Sequence, residues 1–181
     1  IWGKMGGSHY SSGYLNIYDI AMADYQSIII CGKIIGQANL YPFSYNTYDE
    51  NGYVAKFDLE GNSIWLKTIG GQNSSEMATR VSYYKNKIAV CGSLYSNQPY
   101  IGNFPLYSIL PGGSYRAYTA TLDTNGNVLF ARLNKLVSSS SDHYYNGIAL
   151  LDDYNGQILW GNFKGSQSWY PLTQNNTSSY G

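Results

Sequence analysis

The chain carries few groups that could do chemistry. It has two histidines, His9 and His143. Each stands in a Ser/Tyr-rich stretch just ahead of an apolar strand: GGSHYSSGY (6–14) and SSSSDHYY (138–145). A histidine acts as general base only beside the proton it removes. A metal site here would need a third ligand from Asp19, Asp142 or Glu76, and no H-E-x-x-H or C-x-x-C spacing is present. Both histidines therefore read as solvated loop residues. Glycoside hydrolysis needs two carboxylates roughly 5–9.5 Å apart. Glu76, Asp142, Asp152 and Asp153 are the candidates, and each reads more simply as a turn or cap residue. Gly6-Gly7 and Gly70-Gly71 end strands where the chain turns and are not phosphate loops. The residues imply no catalytic group, no metal and no cofactor.

The two cysteines, Cys31 and Cys91, stand at the same phase of a repeat, each followed by glycine. A disulfide needs Cα atoms within about 7 Å. One whole repeat separates these two, so both are expected to be small buried hydrophobes.

That repeat dominates the sequence. Residues 53–65 read YVAKFDLEGNSIW and residues 118–130 read YTATLDTNGNVLF. Upstream hairpins read IAMADYQSIIICG (20–32), VSYYKNKIAVCG (81–92) and IALLDDYNGQILWG (148–161). Trp2, Trp65 and Phe130 recur in step, as do Cys31, Cys91 and Trp160, at intervals of 60–69 residues. Short Asn-, Asp- and Gly-bearing turns between apolar runs signal hairpins. The hairpin turns are expected at Tyr25-Gln26, Lys85-Asn86 and 153–156. In 58–62 and 123–127 an Asp that bonds its own backbone and a Gly at positive φ account for the turn. Five residues are too few for a calcium loop. Lys4, Lys67 and Arg132 follow the repeated aromatic by two residues, so their stems should cover its face. The reading is an all-β chain of four-stranded antiparallel units repeated in tandem, the pattern of β-propeller blades.

The phrase YVAKFDLEGNSIWLKTIGG (53–71), followed by a hairpin ending Cys-Gly, resembles the seven-bladed β-propeller repeat (SBBP) family and the related NHL-type propellers. The likeness is good in 52–71, fair in 117–135 and partial elsewhere, since Asn134-Lys135 replaces the Gly-Gly of 70–71. It implies the fold and little about activity. The family's strand order parses residues 1–181 as a single propeller segment. Its parts are an outer strand 1–7, a blade over 18–69, a blade over 79–133, and a partial blade over 146–175 with a polar tail. Propellers normally close with about four or more blades. The expectation is therefore further chain, closure by a second copy, or an open wedge resting on another protein. The chain opens inside a repeat at Ile1, as a processed or partial protein would.

Between second and third strands lie long insertions, 34–51 and 94–116, expected as loops on one rim. They hold Tyr41, Phe43, Tyr45 and Tyr48, then Tyr95, Tyr100, Phe104, Tyr107 and Tyr115. Tyrosine gives large contact area, few rotors and a polar tip. These aromatics are the candidate binding residues, for a protein or glycan at a cell surface. Asn73, Asn175 and Asn176 fit the N-glycosylation sequon. With 11 basic and 11 acidic residues, and only 12% charged, the chain lacks the basic footprint of a nucleic-acid binder. It also lacks an apolar run of about 18 residues that would insert into a membrane. The low charge, the 20 tyrosines and the sequons favour an extracellular or cell-surface location. The functional expectation is a non-enzymatic scaffold or binding module, including one in a surface filament or appendage. Alternatives are a carbohydrate-active enzyme or lectin on the same fold, and an element that closes a propeller by oligomerisation.

Overall fold

The computed structural model describes residues 7–8, 13–40, 42–71, 75–96, 98–106, 115–133, 143–150 and 156–163. These residues form β-strands, and among them there is no α-helix. In chain order the strands are β1 (Gly7–Ser8), β2 (Tyr14–Ala23), β3 (Ser27–Leu40), β4 (Phe43–Asp58), β5 (Ser63–Gly70), β6 (Glu76–Tyr84) and β7 (Lys87–Leu94). They continue as β8 (Tyr100–Ile101), β9 (Phe104–Pro105), β10 (Arg116–Asp123), β11 (Val128–Leu133), β12 (His143–Leu150) and β13 (Gln157–Phe163). Strands β2-β3-β4-β5 form one antiparallel meander and β6-β7-β10-β11 a second. Strands β12 and β13 pair as a separate two-stranded hairpin. The repeated sequence thus folds into repeated sheets.

The turns follow their residues. Lys85 and Asn86 both take positive φ, 43° and 63°, and join Tyr84 to Lys87 as a two-residue hairpin turn. The matching turn of the first sheet spans 24–26, with positive φ at Asp24 and Tyr25. That is one residue earlier than the sequence suggests. Asp58 accepts from Asn62 N at 2.6 Å and from Asn62 Nδ2 at 2.8 Å. Asp123 accepts from the same two atoms of Asn127, both at 2.8 Å. Gly61 and Gly126 both sit at φ 80°.

Period-two alternation gives each strand two apolar faces, and the sheets stack on them. Ile29, Cys31, Val54 and Ile69 of the first sheet pack against Val81, Val90, Tyr118, Ala120 and Leu122 of the second. Ala89, Cys91 and Ala117, from the far face of the second sheet, pack against Tyr145 and Ile148. Ile30, Tyr53, Ala55 and Phe57 form a separate cluster on the first sheet's other face. Polar stitches cross each junction. Val81 N donates to Asp19 Oδ2 at 3.0 Å, and Thr79 Oγ1 donates to the Tyr145 carbonyl at 2.7 Å. Gln157 Nε2 donates to Thr121 Oγ1 at 2.7 Å.

A bulge that the residue pattern does not reveal recurs in the first strand of every repeat. The register slips between Ile17 and Asp19, between Ala78 and Arg80, and between Tyr145 and Gly147. Opposite each slip stands a glycine: Gly32, Gly92 or Gly161. A Cβ on Gly32 would lie 1.8 Å from the Asn16 carbonyl oxygen, and one on Gly92 would lie 1.9 Å from that of Met77. Tyr53 Oη and Tyr118 Oη donate to these same two carbonyls, at 3.2 and 3.3 Å. The repeated Cys-Gly is therefore a packing device. Glycine makes room for a bulged carbonyl, and the tyrosine of the next strand satisfies it. In the third repeat Trp160 replaces the cysteine, and Gly147 clears space where a Cβ would meet its indole at 1.7 Å.

Both cysteines are buried and free. Burial pushes the Cys91 thiol up to about 12 and the Cys31 thiol higher still, so both stay protonated at neutral pH.

Candidate recognition surface

The two insertions are not the open loops their composition suggests. Residues 34–51 continue β3 and β4 as a paired arm running to Leu40↔Phe43. The extra length is absorbed at one irregularity, where Ile34 pairs with Asn51 but Gly36, at φ 67°, pairs with Thr47. The chain favours this because Phe43, Tyr45 and Thr47, alternating along one face, suit a half-buried ladder better than a structureless loop.

Glu50, at the irregularity, ties the arm down. It forms an ion pair with Lys33, accepts from Tyr14 Oη at 2.8 Å and accepts from Ser75 Oγ at 2.5 Å. Lys33 Nζ also lies 5.9 Å over the Tyr14 ring. Burial raises the Glu50 carboxyl, but hydrogen bonds from Lys33, Ser75 and Tyr14 outweigh it and hold the group at about 2. A carboxylate held down in the fold adds stability above its ordinary value near 4.5 and loses it as pH falls through about 2. Glu50→Gln is accordingly expected to lower stability at pH 7 by on the order of 1–3 kcal/mol, partial exposure reducing the larger figure. The gap to the native chain should close as pH approaches 2. Urea titrations at pH 7, 4 and 2 check this. A gap that does not change with pH would contradict it. Asp58 and Asp123 are also held below the usual carboxylate range. For Asp58 the main cause is the Asn62 hydrogen bond, whereas for Asp123 burial raises the group and the Asn127 bonds outweigh it.

Within 94–116, β8 and β9 form a small hairpin that adds to the outer edge of the first sheet, with Ile69↔Ile101 and Gly70↔Tyr100 paired. Gly102, at φ 56°, donates its N–H to the Thr68 carbonyl at 2.8 Å. Ile101 and Leu106 are buried in the core between the first two sheets. The second repeat thereby lends two strands to the first. Gly70-Gly71 serves this join: a Cβ on Gly70 would meet Asn51 Oδ1, and one on Gly71 would meet Ser96 Oγ, each at 1.7 Å. Arg116, buried in β10, donates to the Ser96 carbonyl. In the ladder Glu76 and Arg116 flank Leu94 on one face of the second sheet.

The candidate aromatics separate into kinds. Tyr45 is half-buried against the Ile30–Tyr53 cluster. Burial raises its phenol, and the charges of Tyr100, Glu76 and Asp49 add to this. Tyr100 is raised by burial, then by Glu76 and Asp49. Tyr45 of one insertion and Tyr100 of the other thus share the field of Glu76, which is fully buried. Tyr95 and Tyr115 bracket the second insertion, with ring centroids 5.3 Å apart and planes tilted 49°. Phe43 is half-buried, while Tyr95 and Phe104 are exposed. Tyr48 lies in β4 by its backbone. Tyr41, Tyr107, Asn73, Asn175 and Asn176 fall outside the described residues, as do His9, Asp142, Asp152 and Asp153. His143 opens β12, paired with Phe163.

Among the described residues no three His, Cys, Asp or Glu gather as a metal site, and no helix is long and apolar enough to cross a membrane. Residues the sequence reading passed over include Glu50, Lys33, Tyr14 and Arg116. Their separation along the chain gave no local signal. No protein-family model matches the chain, and no curated protein matches it.

Proposed function

We propose that the chain is a non-enzymatic β-propeller-type scaffold, extracellular or at a cell surface, that binds protein or glycan through its tyrosine-rich end. The observation that carries this reading is the meeting of the two insertions. The β8–β9 hairpin of the second joins β5, one strand from β4, and there Asn51 of the first and Tyr100 of the second both face Gly70. Support also comes from the stacked antiparallel repeats and from the likeness of 53–71 to propeller repeats. Tyr95 and Tyr115 are the side chains best suited to contact. They pair with each other at the insertion's base, and Tyr95 keeps an exposed face. A rigid aromatic pair offers a flat surface for stacking at low entropic cost.

The test is a glycan array and a surface-protein array probed with the native chain and with a Tyr95→Ala/Tyr115→Ala double variant. Loss of about tenfold or more in affinity is expected for any array ligand found, as for a hot-spot aromatic. Undiminished binding by a variant with a native circular-dichroism spectrum would exclude these residues as the contact.

A further inference from the structure

The stacking of sheets within the chain leaves positions exposed whose equivalents are buried. Equivalent positions follow from register: Ile20 pairs with Ile30, Val81 with Val90, and Ile148 with Leu159. Val81 and Ile148 are each 6% exposed, buried against the preceding sheet. Ile20, at the same place in the first sheet, is 59% exposed. Its companions Ile17 and Met22 are exposed too, whereas Ala78, the equivalent of Ile17, is fully buried. The opposite flank repeats the pattern. Cys91 is 0% exposed under the third repeat, while its equivalent Trp160 is 54% exposed. Ile158, equivalent to the buried Ala89, is exposed as well.

The two exposed patches lie at opposite ends of the stack of sheets. On the first sheet the outer part of the face is closed, with Tyr53, Ala55 and Phe57 buried. Ile17, Ile20 and Met22 along β2 stay exposed, as does Ile64 on β5. On the third repeat the exposed residues lie on β13, beside β12. A surface built like the Val81 strip thus faces outward at one end, and one built like the Cys91 face at the other. Positions equivalent to Ile20 and Trp160 are what the chain buries twice internally, between its first and second sheets and between its second sheet and β12–β13, while on the first sheet Tyr53, Ala55 and Phe57 are already covered.

We infer that the occupant of each patch is a second copy of this chain, docked head to tail, with Ile158 and Trp160 of one copy against Ile17, Ile20 and Met22 of the next. This goes beyond the proposed recognition role and uses a different surface. A head-to-tail contact is heterologous: it engages two different patches, and it either closes on itself or propagates. Burying exposed isoleucine, methionine and tryptophan supplies the drive.

The test is the mass of the 181-residue chain by analytical ultracentrifugation across a concentration series. A concentration-dependent rise to two copies or more is expected. Ile20→Lys blocks one patch and Ile158→Lys the other. Both sites are exposed within one chain, so both variants should fold, as circular dichroism will check. Each alone should associate about tenfold or more weakly, because an ammonium must be desolvated at the contact. An equimolar mixture of the two variants keeps one native pairing and should recover association. A native chain that stays monomeric throughout overturns the inference. So does a mixture no better than either variant, which would mark a contact of like patches.

Discussion

Replacing Gly92 by alanine is expected to destabilise the protein by about 2–4 kcal/mol, although it adds one methyl group in a strand of good β-formers. The reason lies across the ladder. The added Cβ would sit 1.9 Å from the Met77 carbonyl oxygen and 3.0 Å from the Ala78 Cα. Both are backbone atoms, so relief requires the bulge between Ala78 and Arg80 to move. Moving it draws the Met77 carbonyl away from Tyr118 Oη, a group with no exposure to water. The buried phenol then loses its acceptor, and an unsatisfied buried polar group costs roughly 1–3 kcal/mol by itself. Gly32→Ala is the internal replicate, because the Asn16 carbonyl and Tyr53 repeat the geometry. Urea denaturation of both variants is the measurement. Stability within ~0.5 kcal/mol of the native chain, as for an ordinary surface change, would mean that the bulged carbonyl is not held as described.

Trp65→Ala should cost about 3–5 kcal/mol, in the range of large aromatic deletions from cores. Trp65 is the joint between the first two sheets at their turn end. Its Nε1 donates to the Thr124 carbonyl at 2.9 Å, and its indole lies over Gly126, where a Cβ would be 2.9 Å away. Lys56 reaches the same carbonyl at 3.4 Å and Asp24 at 3.7 Å. The Lys67 stem flanks the indole over Gly126, which agrees with a covering role for the recurrent basic residue. Deletion removes packing from both sheets and one of two donors to Thr124. Trp65→Phe keeps most of the ring and should cost about 1–2 kcal/mol, largely through the lost hydrogen bond. Thermal and urea unfolding of the pair separate the two contributions. Equal losses in both variants would place the whole effect in the hydrogen bond. The equivalent aromatic Phe130 is exposed, so Phe130→Ala should cost much less. That contrast isolates the junction from the residue type.

Much of this architecture can be read from local pattern. Alternating apolar residues broken by Asp-x-x-Gly-Asn and Lys-Asn turns determine antiparallel hairpins, because turn residues with positive φ act within four or five positions. Repetition of Trp65 at Phe130, and of Cys31 at Cys91, sets the length of each unit. It also marks the cysteines as packing residues rather than a bond. The turn and strand signals are short-range, and the repeat needs only a comparison of segments 60–69 residues apart.

The tyrosine-rich segments show where that reading stops. Residues 34–51 carry no marker that they prolong β3 and β4, because the irregularity at Ile34–Gly36 is stabilised by Glu50 holding Lys33, Tyr14 and Ser75 from three other segments. Likewise β8 joins β5 only because Ile101 finds the core between two sheets and the side chains of Asn51 and Ser96 fit beside Gly70 and Gly71. The sequence by itself determined the strands, their hairpin turns and the repeat. Tertiary structure alone decided the bulges opposite Gly32 and Gly92, the lending of β8–β9 to the first sheet, and the convergence of Tyr45 with Tyr100. The physical reason is range. Turn and strand preferences act between neighbours, whereas these features depend on backbone carbonyls and side chains 15 to 55 residues away that only the folded sheets bring together.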